Sequence, residues 1–125
     1  MQGQGISPVM KSLRSSLEVH ARQRGWSEQD LADLRRAAKL LWQSGLCLET
    51  DCGVTDEGEP WYVFCDAESG DILVHFARVD GHYIACAPFR DSGLKGRVFH
   101  DVVDRFLQNG ITPRLNASVH STPAA

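Results

Sequence analysis

The chain has 125 residues, 42% of them hydrophobic and 23% charged, and a net charge of −3. That length makes one domain whose core needs no disulfide or metal staple. The composition excludes a fibrous or disordered chain, and the slight acidic balance gives no general attraction to nucleic acid or anionic lipid.

Residues 1–6 are rich in Gly and Gln and are expected to form a flexible N-terminus. Ser7 and Pro8 supply an N-cap and a first helical position, and Met10, Leu13 and Leu17 continue at helical spacing to a stop at Gly25. A second helix starts more sharply. Ser27 with Asp30 imitates a capping box, Trp26 can staple onto Leu31, and acids precede bases along its length as the helix dipole favours. Its expected buried stripe is Leu31, Leu34, Ala38, Leu41 and Trp42, ended by Gly45.

From residue 46 the apolar spacing changes from helical to alternating. Residues 46–51 read as an edge strand, and 53–60 as an acidic Gly/Pro loop. Trp61–Cys65, Ile72–Ala77 and Tyr83–Ala87 then form a β-meander, rich in aromatic and β-branched residues. Asp80-Gly81 suits a two-residue type I′ turn, which pairs Arg78 with Tyr83 and His75 with Cys86. A four-residue loop at Ala67–Gly70 then sets the parity of the first meander strand. On that basis Trp61, Val63, Cys65, Ile72, Val74, Phe76, Ala85 and Ala87 share one face. Tyr62, Phe64, Leu73, His75, Ala77, Ile84 and Cys86 share the other. The last helix carries Val98/Phe99, Val102/Val103 and Phe106/Leu107 every four residues and is capped by Asn109-Gly110. The sequence therefore predicts an α+β fold in the order α-α-β-β-β-β-α, an antiparallel three- to four-stranded meander packed on two or three helices. Residues 7–110 form the domain, and 111–125 are expected to be a flexible tail.

The Trp-Ser start and Leu spacing of the second helix resemble the first helix of Myb-like DNA-binding domains over some fifteen residues. The resemblance ends at Cys47–Thr50, which reads as a strand where a recognition helix should follow. The order of helix, three strands and helix is similar to that of the double-stranded-RNA-binding fold. That module implies a lysine cluster at the start of the last helix, whereas residues 93–97 offer only Lys95 and Arg97. No nucleic-acid partner is expected.

Four cysteines and five histidines lack zinc-ligand spacing, so no metal and no cofactor is predicted, and Cys47, Cys52, Cys65 and Cys86 read as reduced, buried thiols. The start lacks a charged leader with an apolar core, and no apolar run approaches the roughly 18 residues of a membrane helix, so a cytoplasmic location without a membrane is expected. Because both sheet faces are apolar, the second must be covered by the first helix or by another chain. This points to a non-catalytic protein-interaction or adaptor domain, with a homodimer as one form. Its expected partner surface is Tyr62, Phe64, Leu73 and Ile84, with the carboxylates Asp56, Glu57 and Glu59. The alternative is a small-molecule-binding domain or enzyme built on His75, Arg78, His82 and Tyr83 with the same acidic loop.

Overall fold

The computed structural model describes the backbone of residues 8–88 and 93–108 and the side chains of 16–88 and 93–108. The elements run α1 (Pro8–Gln23), α2 (Glu28–Gln43), β1 (Leu48–Val54), β2 (Pro60–Asp66), β3 (Ile72–Val79), β4 (His82–Cys86), β5 (Leu94–Gly96) and α3 (Phe99–Gln108). The five strands form one antiparallel sheet in chain order, so the architecture is the expected α+β meander with one strand more. The addition is β5, which lies where the start of the last helix was expected, and β1 begins and ends later than residues 46–51. The flexible ends, the Ser7 cap and the Asn109-Gly110 cap lie outside the described residues.

Local chemistry sets each boundary. The Asp30 amide donates to Ser27 Oγ at 3.0 Å and the Ser27 amide to Asp30 Oδ2 at 3.1 Å, completing the capping box of α2. Asp80 and Gly81 hold φ of 52° and 76°, the left-handed pair that a type I′ turn requires, and β3 pairs with β4 in the expected register. Glu59 staples this turn from a distance, its carboxylate accepting from the Asp80 amide at 3.0 Å.

The loop at residues 67–70 also forms as expected. The Asp66 amide donates to the Asp71 carbonyl at 2.8 Å, and the Gly70 amide to the Asp66 carbonyl at 2.7 Å. Cys65 then pairs with Ile72, as a four-residue loop demands, but Phe64 pairs with Val74 and leaves Leu73 in a β-bulge. One extra residue reverses the face on which every earlier residue of β2 lies relative to β3. The sequence-based faces are therefore corrected for β2: Tyr62 and Phe64 join Val74, Phe76 and Ala85 in the core, together with Leu73 itself. Trp61, Val63 and Cys65 turn to the opposite side, beside His75, Ala77, Ile84 and Cys86, which lie where they were expected. The bulge has a physical reward, because it buries two consecutive large apolar side chains, Leu73 and Val74, that strict alternation would separate.

The three helices among the described residues share one face of the sheet. Leu31, Leu34, Ala37 and Leu41 of α2 and Phe99, Val102, Val103 and Phe106 of α3 are buried there with Ala21 and Trp26. Ala37 replaces Trp42 in the expected stripe; Trp42 is 46% exposed. Phe76 is the hub, with Phe64, Phe99 and Phe106 each edge-on to it at ring centroid distances of 6.2, 5.4 and 5.8 Å. Such pairs add about 0.5–1.5 kcal/mol each beyond burial. Between α2 and α3, Arg36 bridges Asp33 at 3.1 Å and Asp104 at 2.6 Å, while His100 Nδ1 meets the same Asp33 oxygen at 2.8 Å. Asp33 is nearly fully buried, and its Oδ2 has no hydrogen-bond partner among the described residues, so these contacts supply the compensation that a desolvated carboxylate needs.

Candidate interaction surface

The outer face of the sheet is the side away from the helices, and cross-strand pairing arranges its residues in rows. Asp51, Val63, His75 and Cys86 form one row, and Gly53, Trp61, Ala77, Ile84 and Lys95 form the next. Glu49 and Cys65 continue the surface towards Ile72. None of the described helices joins these residues in a common core cluster. Val63 and Ala77, at the centre, are nevertheless buried. Ile72 is 44% exposed, and Cys86 is exposed as well.

Trp61 dominates this surface. A Cβ added at Gly53 would lie 2.6 Å from Trp61 Cζ2, so only glycine across the ladder lets the indole lie flat over β1. The same indole lies 6.2 Å from the His75 ring. Burial lowers the His75 pKa below its ordinary value, which keeps the imidazole neutral at neutral pH. Burial also pushes the Cys65 thiol up, and the carboxylates of Glu49 and Asp51 push it further. The middle of the face is thus uncharged, while acids occupy its β1 edge and Lys95 its β5 edge.

The residues expected to form a partner surface are divided by the fold. Tyr62, Phe64 and Leu73 are core residues under the helices, with the Tyr62 phenol pushed to high pKa by burial, whereas Ile84 lies on the outer face. Asp56 and Glu57 are exposed in the β1–β2 turn, and Glu59 is engaged with the Asp80 amide. The expected ligand group is divided too. His75 faces outward, while Arg78 reaches under the end of α1 to donate to the Gly25 carbonyl at 2.9 Å. Tyr83 packs on Trp26 and Phe99, with its hydroxyl 3.4 Å from Asp30 Oδ2, and His82 folds onto the Asp80 carbonyl. These four do not converge on one site. Trp61, Val63, Cys65, Glu49, Asp51 and Lys95 were missed as surface residues, and the excess of large apolar residues around 72–74 was the signal that a bulge would reverse β2.

The thiols also differ from expectation. Cys47 and Cys86 are exposed and Cys52 and Cys65 half-buried, so none is a fully buried core residue. No group of three or more His, Cys, Asp or Glu among the described residues is placed to hold a metal ion. No helix among them is long and apolar enough to cross a membrane.

A concave site lies on the helix side, where α1 and α2 part over β1 and β2. It is a cavity of about 1110 Å³ with a floor that includes Leu17, Leu34, Leu48, Tyr62 and Phe64. Among its lining residues Arg35 grips Glu18 through two hydrogen bonds of 2.7 and 2.9 Å.

No family model matches the chain, and no match is found among curated proteins or solved structures.

Proposed function

We propose that this chain is a non-catalytic protein-interaction domain that docks through the outer face of its sheet. The observation that carries the reading is the one-sided packing: the helices cover one face, while the other presents Trp61, Ile72, Ile84 and Cys86 around a neutral His75. An antiparallel sheet with a solvated face ordinarily alternates apolar with polar residues, and here the outward positions of β2, β3 and β4 are almost all apolar. Catalysis has little support, because the polar groups of the sheet are spread over both faces and burial holds the Cys65 thiol protonated. A photo-crosslinking amino acid placed at 84 in the full chain, in cells, should give a discrete protein adduct. The same group at Gln29, exposed on α2, should give none. No adduct at 84 would overturn the reading.

The cavity between α1, α2 and the sheet favours a second reading, binding of a largely apolar small molecule, since Leu17, Leu34, Leu48 and Phe64 line it beside the Arg35–Glu18 ion pair. A solvatochromic acyl probe should then gain fluorescence with the wild type and lose that gain with Leu34→Trp, which fills the floor. An equal signal from both proteins would remove this alternative.

A further inference from the structure

We infer that the partner on the outer face is a second copy of this chain, the two sheets stacked face to face about a two-fold axis that runs along β3. The inference rests on the docking reading above and names its occupant. Its basis is the distribution of charge: Glu49 and Asp51 stand on the β1 edge, Lys95 stands on the β5 edge, and the outward positions of the three strands between them hold no Asp, Glu, Lys or Arg.

A two-fold axis parallel to the strands lays β1 of one copy over β5 of the other. Lys95 shares its row with Gly53, so it then lies over Gly53 of the second copy, with Asp51 about 7 Å further along the same edge strand and within reach of the lysine side chain. The contact occurs twice because the interface is isologous. An axis across the strands would instead lay β1 over β1, with acid against acid and lysine against lysine, which like-charge repulsion disfavours. A uniformly basic partner would satisfy Glu49 and Asp51 but oppose Lys95, and an acidic partner would do the reverse. Only a surface with the same polarity, turned end for end, satisfies both edges.

The apolar rows fit the same operation. Ala77 lies on the central strand and meets its own copy, so a small side chain stands at the axis. Trp61 on β2 meets Ile84 on β4, and each large group faces one that is not aromatic. Facing sheets pack about 10 Å apart with strands within about 30° of parallel, which suits a bulky row flanking a small centre.

The experiment is light scattering across a concentration series on the full chain, with the fold of each variant checked by far-UV circular dichroism. Wild type should show twice the monomer mass, and Lys95→Glu should weaken association by at least about tenfold. The triple variant Lys95→Glu with Glu49→Lys and Asp51→Lys reverses both edges and should restore the dimer. A wild type that stays monomeric to millimolar concentration overturns the inference, as does a dimer indifferent to Lys95→Glu or not restored by the triple variant. The crosslink at 84 separates the two levels: an adduct with a different protein ends the homodimer and keeps the docking face, whereas no adduct ends both.

Discussion

The two faces of this sheet are similar in residue type and different in fate. On the helix side Tyr62, Phe64, Val74 and Phe76 are buried in one cluster with residues of α2 and α3; on the outer side Trp61, Val63, His75 and Ala77 lie outside that cluster of described residues. Both sets alternate along the same two strands, so apolarity alone does not separate an interior from an interface. What separates them is edge charge and side-chain length. The helix face has aromatic rings meeting edge-on around Phe76, while the outer face has small residues at its centre and ions at its rim.

The largest test sets one glutamate against the other. Phe64→Glu places a charge in the core, a cost of several kcal/mol that rivals the whole stability of a domain this size, so the cooperative urea transition should disappear. Ile84→Glu, on the outer face, should keep the transition and the helical circular dichroism. Equal behaviour of the pair would mean that the two faces are not distinct. Next in size is removal of Leu73, which heals the bulge without changing which residues face the helices. The variant should still unfold cooperatively but lose about 2–5 kcal/mol, the usual cost of deleting a buried leucine side chain. Non-cooperative unfolding would show that the bulge holds the register rather than accommodating a side chain.

A smaller effect is expected between the helices. Arg36→Ala leaves Asp33 with His100 alone and should cost about 1–3 kcal/mol by urea denaturation, against no change for Arg24→Ala. No change in either would mean that His100 satisfies the buried carboxylate by itself. The smallest concerns pH. Burial lowers the His75 pKa from 6.5, so the folded chain binds that proton less tightly than the unfolded chain. This stabilisation is full above the unfolded value and is lost progressively as pH falls towards the folded one. Melting temperature should therefore drop less in His75→Gln than in wild type between about pH 7.5 and about pH 5. Identical drops would place His75 in water.

Much of the fold was legible because local chemistry decides it. Ser27 and Asp30 cap α2 whatever the rest of the chain does, and Asp80-Gly81 determines a hairpin and its register within ten residues. The face of β2 was not legible, because it depends on whether Leu73 is paired or bulged. That choice is made by the volume available under α2 and α3, for which the run of large apolar residues at 72–74 is the one local signal. The loop of residues 67–70 was read correctly, yet one residue beyond it exchanged Trp61 for Tyr62 on the core side. The candidate surface inherits this: Ile84 and His75, on the strands joined by the readable turn, were assigned to the outer face, and Tyr62 and Phe64 were misplaced with their strand. β5 was missed because three residues, one of them glycine, carry too little pattern to mark a strand.

The chain-order arrangement of the strands also bears on time. Every strand pairs with its neighbour in sequence, so the sheet can assemble through short loop closures, whereas Arg36 and Asp104 must meet across 68 residues. Loop closure over that span is the slow, entropically costly step, and it is worthwhile only after the sheet offers α3 a surface to land on. The contact between α2 and α3 is therefore expected late on the route to the native state, whereas α3 meets the nearby β4 and β5 over short spans. A late contact leaves the folding rate nearly untouched and shows itself in how fast the native chain comes apart. In this molecule the ion cluster around Asp33 is a latch on unfolding, and the lifetime of the folded chain is where its strength will be read.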